Sequence, residues 1–274
     1  MLRFLIFAGY FEWMIYLVTT SQMDQYINVH YRYLIYITLV LALFLALIQL
    51  VIWIKQPPAK QAAEKSLRKK LTKAGCYILM SFPIIAGLLF PHPSLDANIV
   101  STKGFSFPLS KESIGDPYFQ TQYLAPDTSM YFTKDIYHKR MYSELNTFKD
   151  LSEIKIDDDN YLEVMELIYD FPRSFANKTI DFTGFFYHTQ KDQQNYSFAF
   201  RFGIVHCIAD AGVYGLLLNG VMPTYKNNQW LNLKGKITIS YFEPFKRHLP
   251  VLSVTSQTPI AAPKNEYVYL NNVT

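Results

Sequence analysis

Three side chains able to bind a metal ion or exchange protons lie within five residues of one another near position 206. They are His206, Cys207 and Asp210. They follow Phe198–Val205, a mostly apolar stretch whose large apolar side chains alternate with Ala199, Arg201, Gly203 and Val205. Imidazole and thiolate groups are both ligands for zinc and other transition metals. The cluster therefore makes a site for zinc or another transition metal one hypothesis, with His188 on an earlier strand as a further ligand.

The same residues also fit a structural role, and the sequence leaves both interpretations open. In a regular strand, neighbouring side chains point to opposite faces, so His206 and Cys207 share a site only where the chain turns or bulges. In the structural alternative, Cys207 is a small core side chain, His206 is hydrogen-bonded and Asp210 binds backbone N–H groups of a turn. Arg201 is expected to point outward into a salt bridge, with anion binding as the alternative.

The spacing of these residues matches neither a CxxC nor an HExxH zinc motif. Elsewhere, the three aspartates at 157–159 resemble a calcium loop but lack its glycine and its closing glutamate, so we interpret them as solvent-exposed residues before a helix. No group of residues has the pattern of a catalytic site, and we do not expect an enzyme.

The elements that hold the cluster form a β domain over residues 175–274. Its predicted strands are Thr179–His188, Tyr196–His206, Val213–Leu218, Trp230–Tyr241 and Pro250–Gln257. Turn residues separate them and no helices cross between them. Five short strands of this kind predict a small antiparallel barrel that is OB-like.

A connecting segment, residues 91–174, precedes this β domain. Prolines and polar residues over 91–140 predict little regular structure there. Two short helices are expected after it, at Tyr142–Leu151 and Asn160–Phe171, the second with an apolar stripe and ended by Pro172.

Residues 1–90 contain three long apolar runs, which predict transmembrane helices at about 2–19, 33–54 and 75–90. A bilayer span requires roughly 20 such residues. The first run resembles a signal peptide but lacks an Ala-x-Ala-like cleavage site, so we expect it to be retained. Glu12 lies in the middle of this run, where a carboxylate is unfavourable unless it is paired or hydrated. It is expected to pair with a neighbouring helix, or to contact another membrane subunit or an ion path.

The loop between the second and third runs predicts the orientation in the membrane. Lys55–Lys73 contains seven Lys and Arg residues against a single Glu64, and short loops with such an excess stay in the cytoplasm. The N-terminus is then cytoplasmic, and everything after Phe90 lies on the extracellular side of the plasma membrane. Binding of this loop to anionic lipid is the alternative interpretation.

The charge of the β domain and its connecting segment argues against a nucleic-acid partner. Residues 91–274 hold 17 Lys and Arg against 19 Asp and Glu, so the net positive charge of the whole chain comes from the membrane part. A nucleic-acid-binding domain carries a basic face of its own. The two cysteines, Cys76 and Cys207, fall in different parts of the chain and are not expected to form a disulfide.

Several motifs resemble those of the YcgQ-like family of bacterial membrane proteins, and the resemblance covers nearly the whole chain. The motifs are Tyr26–Asn28, Asp181–Tyr187, Arg201–Ala211, Trp230–Gly235 and Glu266–Tyr269. Members of that family typically accompany a multi-span permease. They usually have two adjacent cysteines where this chain has His206-Cys207, which argues against a dithiol redox role here.

The resemblance implies an accessory subunit of a membrane permease complex, whose exofacial β domain caps or gates a polytopic permease subunit. The other expected partner is the lipid bilayer. The alternative function is a metal-binding or small-solute-binding module that is anchored at the cell surface.

Overall fold

A computed structural model describes residues 1–55, 67–89, 100, 133–191, 194–221, 224–242 and 247–271. The chain forms two compact units, Met1–Ser94 and Leu95–Thr274. Most of the Lys-rich loop and, apart from Val100, all of the expected irregular segment up to residue 132 lie outside the described residues.

In the described part of the first unit, three helices are long and apolar enough to cross a membrane. They are α1 (Leu2–Thr19), α2 (Arg32–Lys55) and α3 (Leu67–Leu89). The three predicted spans are confirmed. Helix α3 starts earlier than residue 75, because the residues before its apolar run are mostly Leu, Lys and Arg, which favour helix.

Helix α1 packs against both α2 and α3. A side chain added at Gly87 would lie 2.4 Å from the ring of Trp13, so the absence of a side chain lets α3 approach α1 closely. The Tyr10 hydroxyl donates a hydrogen bond to the Met80 carbonyl at 2.8 Å. Small residues and interhelical hydrogen bonds are the usual means of packing helices in a bilayer.

The part of the second unit over residues 133–271 that the structure describes includes three helices and seven strands. The helices are α4 (Lys134–Phe148), α5 (Tyr161–Asp170) and α6 (Pro172–Phe175). The strands are β1 (Glu153–Lys155), β2 (Thr179–Lys191), β3 (Gln194–Ile204), β4 (Gly212–Asn219), β5 (Trp230–Phe242), β6 (Arg247–Pro259) and β7 (Tyr267–Tyr269).

Five of these strands close into a barrel. They are hydrogen-bonded in the order β2-β5-β6-β4-β3, and β3 pairs again with β2 to complete the ring. The small barrel predicted from the sequence is confirmed, but it is mixed rather than wholly antiparallel and only loosely OB-like. Strands β4 and β6 run parallel, with Leu217 opposite Val251. The short strands β1 and β7 add parallel pairs to β2 and β3.

Helix α5 shares one buried apolar cluster with side chains of all five barrel strands. Its Leu162, Met165 and Leu167 are at most 1% exposed, and it contacts β4, β6 and β7. Helix α4 packs on α5 and begins at Lys134, eight residues before the predicted Tyr142. The prediction of irregular structure up to residue 140 is therefore wrong for residues 134–140. Helix α4 has no marked apolar stripe that would have predicted it, because it is stabilised by packing on α5.

Candidate functional site

The cluster near His206 lies in a tight turn, where strand β3 ends and β4 begins. The predicted strand to His206 stops at Ile204, and a short 3₁₀ helix covers Ile208–Asp210. The Asp210 carboxylate accepts hydrogen bonds from the backbone N–H groups of three consecutive residues: Val205 at 3.1 Å, His206 at 2.9 Å and Cys207 at 3.2 Å. A continuing strand would need these backbone N–H groups for hydrogen bonds to a neighbouring strand. Because the Asp210 carboxylate binds them instead, the strand ends and the chain turns.

Cys207 is the N-cap residue of the short helix. Its side chain accepts a hydrogen bond from the Asp210 backbone N–H, while Asp210 accepts one from the Cys207 N–H. This reciprocal pair is the arrangement known as a capping box. Cys207 is a half-buried free thiol, and it serves here as a capping acceptor as well as a small side chain.

The His206 ring packs back on the same carboxylate. Its Nδ1 lies 3.0 Å from Asp210 Oδ2, and the side chain is 39% exposed. A carboxylate only accepts hydrogen bonds, so Nδ1 carries the hydrogen and a neutral ring has its lone pair on Nε2. A histidine that binds a metal ion through one ring nitrogen commonly donates its other ring N–H to a carboxylate in this way.

The structure does not bring His188 to this turn. In the β2–β3 ladder His188 lies opposite Ser197, and its Nδ1 is 3.3 Å from the Ser197 hydroxyl. Ser197 is seven residues before the end of β3 at Ile204, which is about 23 Å along a strand. His188 and His206 therefore lie at opposite ends of β3.

Two parts of the structural alternative agree with this geometry: Asp210 binds backbone N–H groups of the turn, and His206 is hydrogen-bonded. Cys207 is half-buried rather than a core side chain. Among the described residues there is no group of three or more His, Cys, Asp or Glu that could hold a metal ion. A structural zinc site takes four ligands, and the turn offers His206 and Cys207, with an aspartate already occupied by backbone amides. The metal site stays a prediction.

Replacing Asp210 with alanine is expected to lower the free energy of unfolding of the barrel unit by about 2 kcal/mol, since several charge-assisted hydrogen bonds are lost at once. The measurement is thermal unfolding of the purified full chain in detergent. Asp159→Ala is the matched control, because that side chain is exposed. Equal melting temperatures for the two variants would contradict this assignment of Asp210.

Arg201, in the motif that carries the family resemblance most specifically, is buried. Only 2% of its side chain is exposed, so the prediction that it points outward is wrong, although it does form an ion pair, with Asp158. Its Nη2 donates to the Asn265 carbonyl at 2.8 Å. The guanidinium carbon lies 5.5 Å and 5.6 Å from the ring centroids of Tyr161 and Trp230.

Sequence reasoning missed this arrangement because its members are far apart along the chain. Asp158 precedes Arg201 by 43 residues and Asn265 follows it by 64. Arg201 connects the segment before α5, strand β3 and the segment before β7. Arg201 thus holds these three segments of the domain together. The spacing of its partners along the sequence did not predict any of these contacts.

A cluster of ionisable side chains lies between helices α4 and α5. The Tyr137 hydroxyl lies 2.7 Å from the Asp170 carboxylate and 3.1 Å from that of the buried Glu166. Burial, and then the two carboxylates, raise the pKa of Tyr137. The tyrosine therefore keeps its hydrogen at physiological pH and donates it to this acidic pair.

Glu163 of α5 faces a second pair of charged residues on α4. Arg140 Nε pairs with Glu144 at 2.6 Å and lies within reach of Glu163, whose Oε1 is 3.9 Å from Arg140 Nη2. Burial first, and then the Glu144 charge, raise the pKa of Glu163 to about 7, against the opposing effect of Arg140. The folded protein thus binds a proton here at pH values where the unfolded chain has lost it.

Stability of the second unit is expected to fall by about 1 to 2 kcal/mol between pH 4.5 and pH 7 because of Glu163, after allowance for solvent screening. Below the unfolded pKa both states are protonated; above about 7 both are ionised and the loss is complete. Unfolding measured across this range should show the slope, and Glu163→Gln should flatten it. Glu153→Gln, which alters an exposed carboxylate, should leave it unchanged; an unaltered slope in Glu163→Gln would refute the assignment.

Comparison with known proteins decides the family. Residues 2–106 match the DUF1980 N-terminal domain and residues 131–270 match the DUF1980 C-terminal domain. The chain belongs to the DUF1980 family. Both matched regions carry the features described above: the three spans in the first, the barrel with its turn and Arg201 in the second.

Two relatives match this chain almost from end to end. A Streptococcus mutans protein named "Putative two-component membrane permease complex subunit" is 45% identical over 273 residues, covering 98% of this chain and 99% of the relative. The UPF0703 protein YcgQ of Bacillus subtilis is 37% identical over 284 residues, with the same coverage. The resemblance to the YcgQ-like family is confirmed. No solved structure matches the chain.

Proposed function

We propose that this chain is the accessory subunit of a membrane permease complex, in which a polytopic partner carries the transport path. The observation that carries the proposal is the near-complete match to the Streptococcus mutans protein that is named as a permease complex subunit. Three helices that can span a membrane and a folded barrel unit are consistent with a subunit that has a part in the bilayer and a part outside it.

We place the barrel on the outer face, where it caps or gates the partner. The seven basic residues of Lys55–Lys73 favour a cytoplasmic loop, and each further span reverses the side. The proposed role is not enzymatic: in the turn at His206 the Asp210 carboxylate is engaged by backbone amides, which supports a structural role for that residue rather than a role in proton transfer.

Purification tests the proposal. The full chain, tagged and expressed from its own promoter, is extracted from native membranes in mild detergent and analysed by mass spectrometry. A polytopic membrane protein should accompany it at a constant ratio, and should be absent when another three-span protein with the same tag is purified. If the chain repeatedly emerged alone, the proposal would be abandoned.

The second candidate function is a metal-binding or small-solute-binding module at the cell surface. The observation that favours it is the carboxylate-held imidazole of His206 next to the Cys207 thiol. The purified full chain would then retain zinc or another transition metal, and both His206→Ala and Cys207→Ser would release it. A metal-free wild type after purification without chelators, followed by no uptake of added zinc, would exclude this candidate.

A further inference from the structure

Glu12 places a carboxylate at mid-depth in the first span. Helix α1 runs from Leu2 to Thr19, so Glu12 lies about 2 Å from its midpoint at 1.5 Å per residue. The ends of α1 are therefore nearly three helical turns away on the N-terminal side and about two on the C-terminal side. A carboxylate at this depth lies beyond the reach of the headgroups, and its favourable partners must be other protein groups or water.

Within the first unit, Glu12 has no such partner among the residues that the structure describes. Its side chain is exposed, and two polar side chains of its own helix are engaged with α3 instead. Tyr10 bonds to the Met80 carbonyl, and Arg3, nine residues away along α1, bonds to Tyr77 at 3.2 Å. The sequence left two expectations for Glu12, and one of them was pairing with a neighbouring helix. The described residues of the first unit do not provide that pairing.

The carboxylate lies in the centre of an exposed stripe on α1. The stripe consists of Leu2, Leu5, Glu12, Ile15 and Tyr16, which recur at helical spacing and whose apolar members are 38–50% exposed. The packed residues of α1 lie beside the stripe: Ile6 and Leu17 are at most 5% exposed. The side chains of the stripe are thus the ones that α2 and α3 leave exposed.

Lipid alone would leave a carboxylate in hydrocarbon, at a free energy of a few kcal/mol or more. A second copy of this chain would not relieve it, because the Lys and Arg residues of the three spans all lie near span ends, such as Arg3, Arg32 and Lys55. Charge complementarity therefore favours a different protein, with a cation at mid-depth.

We propose that α1 docks, through the stripe around Glu12, onto a membrane-spanning helix of the partner subunit that carries a basic side chain at the same depth. This inference rests on the proposed function and adds to it the face of contact and the chemistry of the partner. In the assembled complex the ion pair is shielded from lipid, and the apolar members of the stripe pack on either side of it.

The test uses the tagged full chain in native membranes, with the amount of co-purified polytopic protein per chain as the readout. Glu12→Leu should reduce that amount by at least about tenfold, and Glu12→Gln should reduce it severalfold, since charge pairing is lost. Glu12→Asp, which keeps the charge, should retain most of the partner. Gln49→Leu is the matched control, because it removes an uncharged polar side chain from α2, and it should change nothing.

A folding defect gives a different result from a docking defect. The Glu12→Leu chain, purified without its partner, should be at least as resistant to heat and proteolysis as wild type, since it no longer holds a carboxylate in the span. Should that chain fail to accumulate, the nearly isosteric Glu12→Gln decides. Equal partner recovery in wild type and Glu12→Gln would overturn the inference and leave the proposed function standing, whereas a wild-type chain without any polytopic partner would overturn the proposed function itself.

Discussion

Replacing Gly215 with alanine is expected to lower the free energy of unfolding of the barrel unit by at least about 3 kcal/mol, the upper end of what overpacking a core costs. Gly215 lies opposite Phe200 in the β3–β4 ladder. A Cβ atom there would be 1.9 Å from the Ala199 carbonyl oxygen. Because the obstacle is backbone, no side-chain rotation can relieve it, and the two strands must separate.

The separation would also affect the packing of α5. The Gly215 carbonyl accepts a hydrogen bond from the Tyr169 hydroxyl at 2.9 Å, so a shift of β4 removes a bond that holds α5 on the barrel. Thermal unfolding of the full chain and its susceptibility to protease should both report the loss.

Gly212→Ala provides the matched control on the same strand. The Cβ at that position would first meet the Tyr214 ring, at 3.0 Å, and a side chain is able to move where backbone is not. We expect a loss of less than about 1 kcal/mol. If the two alanine variants proved equally stable, the proposed backbone contact would be wrong.

Arg201→Ala is the second change with a large expected effect, about 3 kcal/mol of unfolding free energy. It removes the ion pair with Asp158, leaves the Asn265 carbonyl without its donor, and opens space between the rings of Tyr161 and Trp230. All of these groups meet at one buried side chain, so the losses occur together.

Arg201→Lys should recover only part of the stability, because a lysine has no planar fork to reach a carboxylate and a carbonyl at once. Arg173→Ala, at an exposed arginine on α6, should change the free energy of unfolding by less than about 0.5 kcal/mol. An Arg201→Ala chain as stable as Arg173→Ala would contradict the structural role given to this residue.

The parts of the fold that depend on local pattern were predictable. The three spans follow from runs of apolar residues, and α2 differs by a single residue at each end from the predicted 33–54. Strand β5 at Trp230–Phe242 and helix α5 at Tyr161–Asp170 likewise fall where alternation and an apolar stripe placed them.

The parts that depend on contacts between distant segments were not predictable. The parallel pairing of β4 with β6 brings Leu217 to Val251, and no feature of either segment specifies a parallel partner. The turn at His206 was foreseen as one alternative, yet its cause, the capture of three amides by Asp210, is a matter of geometry. His188 was grouped with His206 by chemistry alone, and the register of β3 separates them.

The location of the barrel bears most directly on the proposed capping or gating role. The chain with Cys76→Ser and Cys207→Ser, which keeps a capping oxygen at 207, gives a background without thiols. A single cysteine is then introduced at Ser256, an exposed position on β6, or at Lys65 in the basic loop. Each is treated with a membrane-impermeant maleimide in intact cells and after permeabilisation.

The proposed orientation predicts that the cysteine at 256 reacts in intact cells and that the cysteine at 65 reacts only after permeabilisation. The opposite pattern, with 65 accessible from outside and 256 protected until the membrane is opened, would place the barrel in the cytoplasm and contradict an exofacial cap.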